Sequence, residues 1–353
     1  PPLDLAPLAG RIADAERALS RLNLAGSLIP STEWFLYGFV RKEAVLSSQI
    51  EGTQATLRDV AEFEATASAD RPEDVEEVCN YVEALTYARD MIRNPTGLPL
   101  SARLLCEAHK VLMKGSRGAE KQPGEIRRSQ NWIGGTRPGN AAFVPPPPDE
   151  VPDALAALDR WIHADDPLPA VVRAGLAHAQ FETIHPFLDG NGRVGRMLIT
   201  LLVEHWGLLD QPLLYLSVAI KRRRPQYYTR LDAVRAEGDW EGWTAFFLEC
   251  VAEAAEDGVR VAGELHALVA RDRRRVLGHD RSTLAAAQLL DLLPSHPIVT
   301  VPMAAELIDA TAPTARKAVE VLEGLGVLRE TSGKQRDRVY AYQEYLGILT
   351  GPA

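Results

Sequence analysis

Apolar residues recur at helical spacing along most of this chain. Leu5, Leu8, Ile12, Ala15, Leu19 and Leu22 share one face, which predicts an amphipathic helix within residues 1–30, packed on the body. A second helix is predicted over 31–48, then a polar helix-and-loop stretch over 55–75 and helices over 75–93 and 101–113. The pattern breaks at 115–148, which holds most of the turn formers. Within it, 123–135 and 140–148 read as two short strands with a turn at Pro138 and Gly139, although composition alone favours a Pro-rich surface loop. Helical periodicity returns over 152–163, 169–183 and 197–203, and a last core helix runs from about 238 toward 271. The charged stretch 271–280 reads as a hinge. Helices over 284–293, 303–309 and 313–325 and strands at 327–330 and 339–342 follow, the order of a winged helix. The prediction is a mainly α fold in three parts: an N-terminal helical region (1–95), a helical core with a short β-hairpin (96–270), and a winged helix-turn-helix domain (271–353).

Composition narrows the class. With 353 residues, 46% hydrophobic and 25% charged, the chain can bury a large core as an ordinary globular protein. A net charge of −9 argues against broad affinity for nucleic acid but leaves a local basic patch open. Cys79, Cys106 and Cys250 are odd in number and widely spaced in apolar helical contexts, so they read as buried thiols of a reducing, cytoplasmic protein. No apolar run approaches the roughly 20 residues of a membrane span, and no contact with a membrane is expected.

The densest chemistry lies at 185–196, His185-Pro186-Phe187-Leu188-Asp189-Gly190-Asn191-Gly192-Arg193-Val194-Gly195-Arg196. An apolar helix ends before it and another begins after it, so the stretch is a loop feeding a helix N-terminus. Glycines let the N–H groups of Gly190, Asn191 and Gly192 turn toward an anion, and the helix dipole adds positive potential. Arg193 and Arg196, three apart, can grip further phosphate oxygens. Asp189 can seat Mg²⁺ beside phosphates, and His185 can take a proton from a hydroxyl. These parts add up to nucleotidyl or phosphoryl transfer.

Every specified position of this run matches the signature of the Fic/DOC family, His-Pro-Phe-x-Asp/Glu-Gly-Asn-Gly-Arg-x-x-Arg, which the chain resembles there. The resemblance implies a Fic helical core over 96–270 and a protein adenylyltransferase. His185 would activate a Ser, Thr or Tyr hydroxyl of a target, or of the chain itself, for attack on the α-phosphorus of ATP. Asp189 would hold Mg²⁺, residues 190–192 the α-phosphate, and Arg193 and Arg196 the β and γ groups, with Val194 and Gly195 counted in the same nucleotide-binding stretch. A second stretch, 47–52, gains meaning from the first. By itself Glu51 before Gly52 is an ordinary helix end. Ser47, Glu51 and Gly52 nevertheless fit the family's inhibitory-helix pattern, Ser/Thr-x-x-x-Glu-Gly/Asn, which implies that Glu51 pairs with Arg196 in place of the γ-phosphate. Residues 123–148 resemble the flap that clamps a target's extended segment, and Ala142, Phe143 and Val144 would wall the adenine. Tyr227 of the Arg-x-x-Tyr-Tyr run would lie by the nucleotide; read alone, the basic run 221–224 is either a nucleic-acid patch or a solvated helix end.

Alternatives stay open. Fic folds also transfer UMP, phosphocholine or a terminal phosphate, though the kinase-like Doc branch carries Lys where this chain has Gly192. Glu51 can also orient a water for removal of AMP. A DNA-binding regulator acting through 281–343 is a different class: Thr311, Thr314, Arg316 and Lys317 would face DNA. From Arg281 onward seven Lys/Arg face eight Asp/Glu, however, a weak balance for a DNA reader, so dimerisation or partner binding competes with it. His109 reads as a packed helix histidine, and His178 with Glu182, four apart, as a structural polar pair.

Overall fold

The computed structural model describes residues 3–27, 32–115, 118, 120–280 and 282–351; Ser31 and Arg281 fall outside them. Helix follows helix: α1 (Ala9–Ser27), α2 (Thr32–Ile50), α3 (Leu57–Thr66), α4 (Pro72–Arg93), α5 (Ala102–Leu112), α6 (Val151–His163), α7 (Ala170–Ile184), α8 (Asn191–His205), α9 (Ser217–Arg222), α10 (Arg224–Glu237) and α11 (Trp240–Leu277). Thr56 caps α3 in a reciprocal box with Asp59, and Ser101 caps α5 through the Leu104 N–H. The centre is α7 and α8. Residues 171–179 of α7 are all buried, as are Met197, Leu198, Ile199, Leu201, Leu202 and Val203 of α8, so both helices are enclosed on nearly every side. α6 and α11 pack on α7, α4 and α5 on α8, and α1 lies along α11. The loop from α7 to α8 therefore hangs between two immobilised rods. No helix among the described residues is long and apolar enough to cross a membrane.

Two expectations are corrected. The strands expected over 123–135 and 140–148 reduce to one bridge, Ile133 with Phe143. Gly134 and Gly135 both take φ of 68°, Pro138–Asn140 forms a 3₁₀ turn, and prolines 145–148 have no N–H to donate, so a ladder cannot propagate. The hinge expected at 271–280 is instead mostly helix, because α11 runs unbroken through Leu277. Leu265, Leu268, Val269, Asp272 and Val276 are buried, so one inward stripe continues while the arginines face out. Asp272 accepts from the Tyr342 hydroxyl at 2.8 Å, and Arg271 pairs with Glu344 at 2.7 Å.

Beyond α11 lie α12 (Leu284–Leu292), β1 (Ile298–Thr300), α13 (Val301–Leu307), α14 (Ala312–Gly324), β2 (Arg329–Glu330), β3 (Val339–Ala341) and α15 (Gln343–Thr350). The strands form an antiparallel sheet in the order β1-β3-β2, with Val299 opposite Tyr340 and Arg329 opposite Ala341. Ile298, Val339, Ala341 and Leu346 pack against Ala61 and Ala65 of α3, and a Cβ at Gly38 of α2 would fall 2.9 Å from Leu349. The C-terminal unit thus rests on the two helices that flank residues 51–56.

Candidate active site

α7 ends on His185, a non-glycine residue at φ 50°, ψ 61°, a costly left-handed conformation held by its surroundings. The hold is visible. Asn191 accepts from the Phe187 N–H and donates to the Phe187 carbonyl, both at 2.8 Å. Arg127, fully buried, donates from its main chain to Pro186 O and from Nε to His185 O, both at 2.9 Å. His109 accepts the Gly124 N–H at Nδ1 (2.9 Å), donates from Nε2 to Asp189 O (3.1 Å) and stacks on Phe187 with ring centres 3.8 Å apart. The packed-histidine reading of His109 is what the structure shows, and burial pushes its pKa down to about 4. Gly190, at φ 76°, then turns the chain into α8.

The surroundings of His185 keep it neutral on balance, the Glu51 charge alone acting the other way. Burial first, then the nearby Arg235 and Arg127 charges, push its pKa down to about 3. Its Nδ1 lies 2.9 Å from Nδ2 of Asn131 and 3.2 Å from Nδ2 of Asn191.

The two arginines meet carboxylates. Arg196 donates from Nε to the Ser47 hydroxyl at 2.8 Å and from Nη2 to Ser47 O at 2.9 Å and Glu51 Oε1 at 2.7 Å. Burial alone would raise the Glu51 carboxyl, but the Arg196 charge and hydrogen bond, with Arg193 and Arg224 behind them, hold it below its ordinary range. Gly52, at φ 106°, releases the chain from α2 right after Glu51. A Cβ at Gly192 would fall 2.2 Å from Glu51 Oε1, so this glycine is the floor on which Glu51 lies. Arg193 instead pairs with Glu77 of α4, which is buried, and its Nη2 lies 3.8 Å from Asp189 Oδ1. Glu51, Gly52, Thr53, Glu77, Gly118, Asp189 and Arg193 enclose a polar cavity of about 240 Å³.

Asp189, half exposed beside this cavity, is the residue able to hold a divalent cation; the described residues contain no cluster of three ligating side chains. An open carboxylate on this polar cavity suits Mg²⁺, which takes one or two carboxylates and completes its shell from phosphate and water.

Several expected site residues lie elsewhere. Val194 is wholly in the core. Gly195 lets α8 approach α7, since a Cβ there would fall 2.4 Å from Glu182 Oε1. Asn191 spends its amide on the loop rather than facing an α-phosphate. Tyr227 is 1% exposed, with its hydroxyl 2.9 Å from His178 Nε2, so it is packed beneath the site with no face on the cavity. The expected His178–Glu182 pair is not seen among the described residues: His178 Nε2 meets Tyr227 instead. Ala142 and Val144 are exposed on the flap, and Phe143 lies under the Arg235 guanidinium, 4.2 Å from its ring centre. Sequence reasoning missed Glu77, Arg127 and Asn131. Glu77 is one acidic residue among several in α4, and nothing in the local pattern marks any of the three.

A fold with this loop and these paired arginines defines a class. The model of the Fic/DOC family N-terminal region matches residues 9–90 and that of the Fic/DOC family matches 99–203; the chain belongs to the Fic/DOC family. It is 29% identical over 207 residues, 57% of its length, to the protein adenylyltransferase Fic of Drosophila grimshawi. Over 181 residues, 50% of its length, it is 28% identical to a probable protein adenylyltransferase of Aquifex aeolicus. These matches span 39% and 52% of the two relatives, so less than two thirds of either. Among solved structures, a Fic family protein from Desulfovibrio desulfuricans G20 superposes with a TM-score of 0.61, 22% identity and 97% of each chain covered. Fic-1 of C. elegans gives a TM-score of 0.54 at 20% identity, with 75% of each chain covered.

Proposed function

We propose that this chain is a protein adenylyltransferase, transferring AMP from ATP to a hydroxyl of a target protein, and that Glu51 holds it inactive. The observation that carries the reading is the filled guanidinium fork of Arg196, 2.7 Å from Glu51 and 2.8 Å from Ser47. A carboxylate satisfies the fork a phosphate would use, so Glu51 competes for the γ-phosphate position. With Glu51 withdrawn, Arg196 and Arg193 bind the terminal phosphates, the N–H groups at the start of α8 receive the α-phosphate, and His185 takes the proton of the target hydroxyl. The oxygen attacks the α-phosphorus and pyrophosphate leaves, driven by positioning and charge neutralisation. Asp189 would hold Mg²⁺, which when bound neutralises phosphate charge. The target's extended segment pairs along the flap, 123–148, where a single bridge leaves main chain accessible.

Transfer of label from α-labelled ATP tests the reading. His185→Ala abolishes it and Glu51→Gly raises it above the parent; a Glu51→Gly protein no more active than the parent removes the inhibitory role.

One observation favours a second reading, DNA contact through a winged-helix C-terminal unit. Arg316 and Lys317 of α14 and Lys334, Arg336 and Arg338 between β2 and β3 are all exposed, so cations gather on elements a winged helix would present. Sequence-selective gel shifts of the full chain that survive rising salt support it; purely salt-dependent binding does not.

A further inference from the structure

The amide of Asn131 meets the imidazole of His185 edge on, and its two ends are not equivalent. Nδ2 lies 2.9 Å from His185 Nδ1, 2.9 Å from Phe187 O and 3.4 Å from His185 O. Two of those partners are carbonyls, which only accept, so the end facing them is the donor. Asn191, whose amide is fixed at both ends by Phe187, turns a second donor toward the same ring nitrogen at 3.2 Å. A nitrogen facing two N–H donors carries the lone pair, and a neutral imidazole then bears its proton on the other nitrogen. The ring proton of His185 is therefore on Nε2. In that form Nε2 has no lone pair with which to receive the proton of an incoming hydroxyl.

The other end of the Asn131 amide is equally informative. Its Oδ1 is buried and has no hydrogen-bond partner among the described residues, a costly arrangement in a side chain 9% exposed. Turned end for end, the amide would give Oδ1 to an Nδ1–H proton, the tautomer that frees Nε2 to act as a base. It cannot turn where it stands, because Oδ1 would then confront Phe187 O. Asn131 lies on the flap, two residues before the bridge at Ile133 and four after Arg127, which staples the flap to the loop. Movement of this short segment is the motion available to release it.

We propose that Asn131 is a positioning residue that sets the tautomer of His185, holding the ring in the Nε2–H form until a target segment engages the flap. The inference deepens the adenylyltransferase reading, since it takes His185 as the base. It adds a restraint independent of Glu51: Glu51 blocks the nucleotide, whereas Asn131 withholds the base until the hydroxyl bearer is in place. On release the ring proton exchanges through solvent from Nε2 to Nδ1, where the bond to Oδ1 displaces the long 3.2 Å contact with Asn191; the hydroxyl proton then moves to the freed lone pair of Nε2, and the ring leaves the step as an imidazolium.

The test uses the full chain carrying Glu51→Gly with ¹⁵N-labelled histidine, the His185 signals being those lost in His185→Gln. The spectrum reports the Nε2–H tautomer in this parent. Asn131→Asp, which offers only acceptors, shifts it to Nδ1–H, and Asn131→Ala lowers the Nε2–H share and carries the reading if the Asp variant does not fold. With α-labelled ATP, Asn131→Asp raises kcat about threefold or more and leaves the KM for ATP unchanged, a split that loss of structure would not produce. An Nδ1–H ring in the parent, an unmoved tautomer in both variants, or a shifted tautomer in an active Asp variant without a rise in kcat overturns the proposal. If the tautomers shift as stated but no protein transfers label, control of His185 stands and the adenylyltransferase reading falls.

Discussion

At the scale of single residues, the site is an exercise in buried charge and its neutralisation. Arg193 and Arg196 are each nearly inaccessible and each faces a carboxylate, Glu77 and Glu51. Histidines near them are kept neutral first by burial and then by the neighbouring guanidinium charges; His178 is pushed down to about 3 by burial, with the Arg196 and Arg235 charges also acting against protonation. This has a consequence for stability. The unfolded chain protonates His178 near 6.5 and the folded chain only near 3, so the stabilisation is complete above 6.5 and is lost as pH falls toward 3. His109 and His185 act in the same direction. Glu182, raised to about 7 chiefly by burial, acts oppositely, its share being complete below 4.5 and lost as pH rises through 7. Denaturant unfolding between pH 6 and 4 should therefore show a slope shallower by about 1.4 kcal/mol per pH unit in His178→Gln than in the parent. Equal slopes would mean that His178 is charged in the fold.

At the scale of elements, legibility followed how local the information was. The loop 185–196 could be read because its chemistry is contiguous; Glu51, an ordinary helix end by itself, stood out only through the family's Ser/Thr-x-x-x-Glu-Gly/Asn pattern, and the structure brings it to Arg196. Glu77, Arg127 and Asn131 could not, since each acts only through the loop that tertiary packing brings to it. Val194 and Gly195 were drawn into the nucleotide site by adjacency, whereas helical geometry turns them to the core and to α7. The stretch 271–280 misled for a related reason: a run of arginines resembles a linker until buried Asp272 and Val276 reveal a helix face. Limited digestion of the native chain with trypsin checks this. Fragments ending at Arg271, Arg273, Arg274 or Arg275 should be absent, because a protease needs an extended backbone that α11 does not offer. Early cleavage there would restore the hinge.

At the scale of the molecule, the helix that carries Ser47 and ends beside Glu51 is not free. α2 packs on α4 and α9, and the C-terminal unit rests on α2 through Leu349 and on α3 through Ala61. Glu51 itself sits just past the end of this braced helix, beside Gly52 at φ 106°. The most direct measurement of the central claim is calorimetric titration of ATP in the presence of Mg²⁺, with His185→Ala in every protein to suppress turnover. Glu51→Gly should bind ATP at least about tenfold more tightly than the protein retaining Glu51, a difference of about 1.4 kcal/mol. Equal affinities would contradict the claim that Glu51 occupies the place of the nucleotide's terminal phosphate.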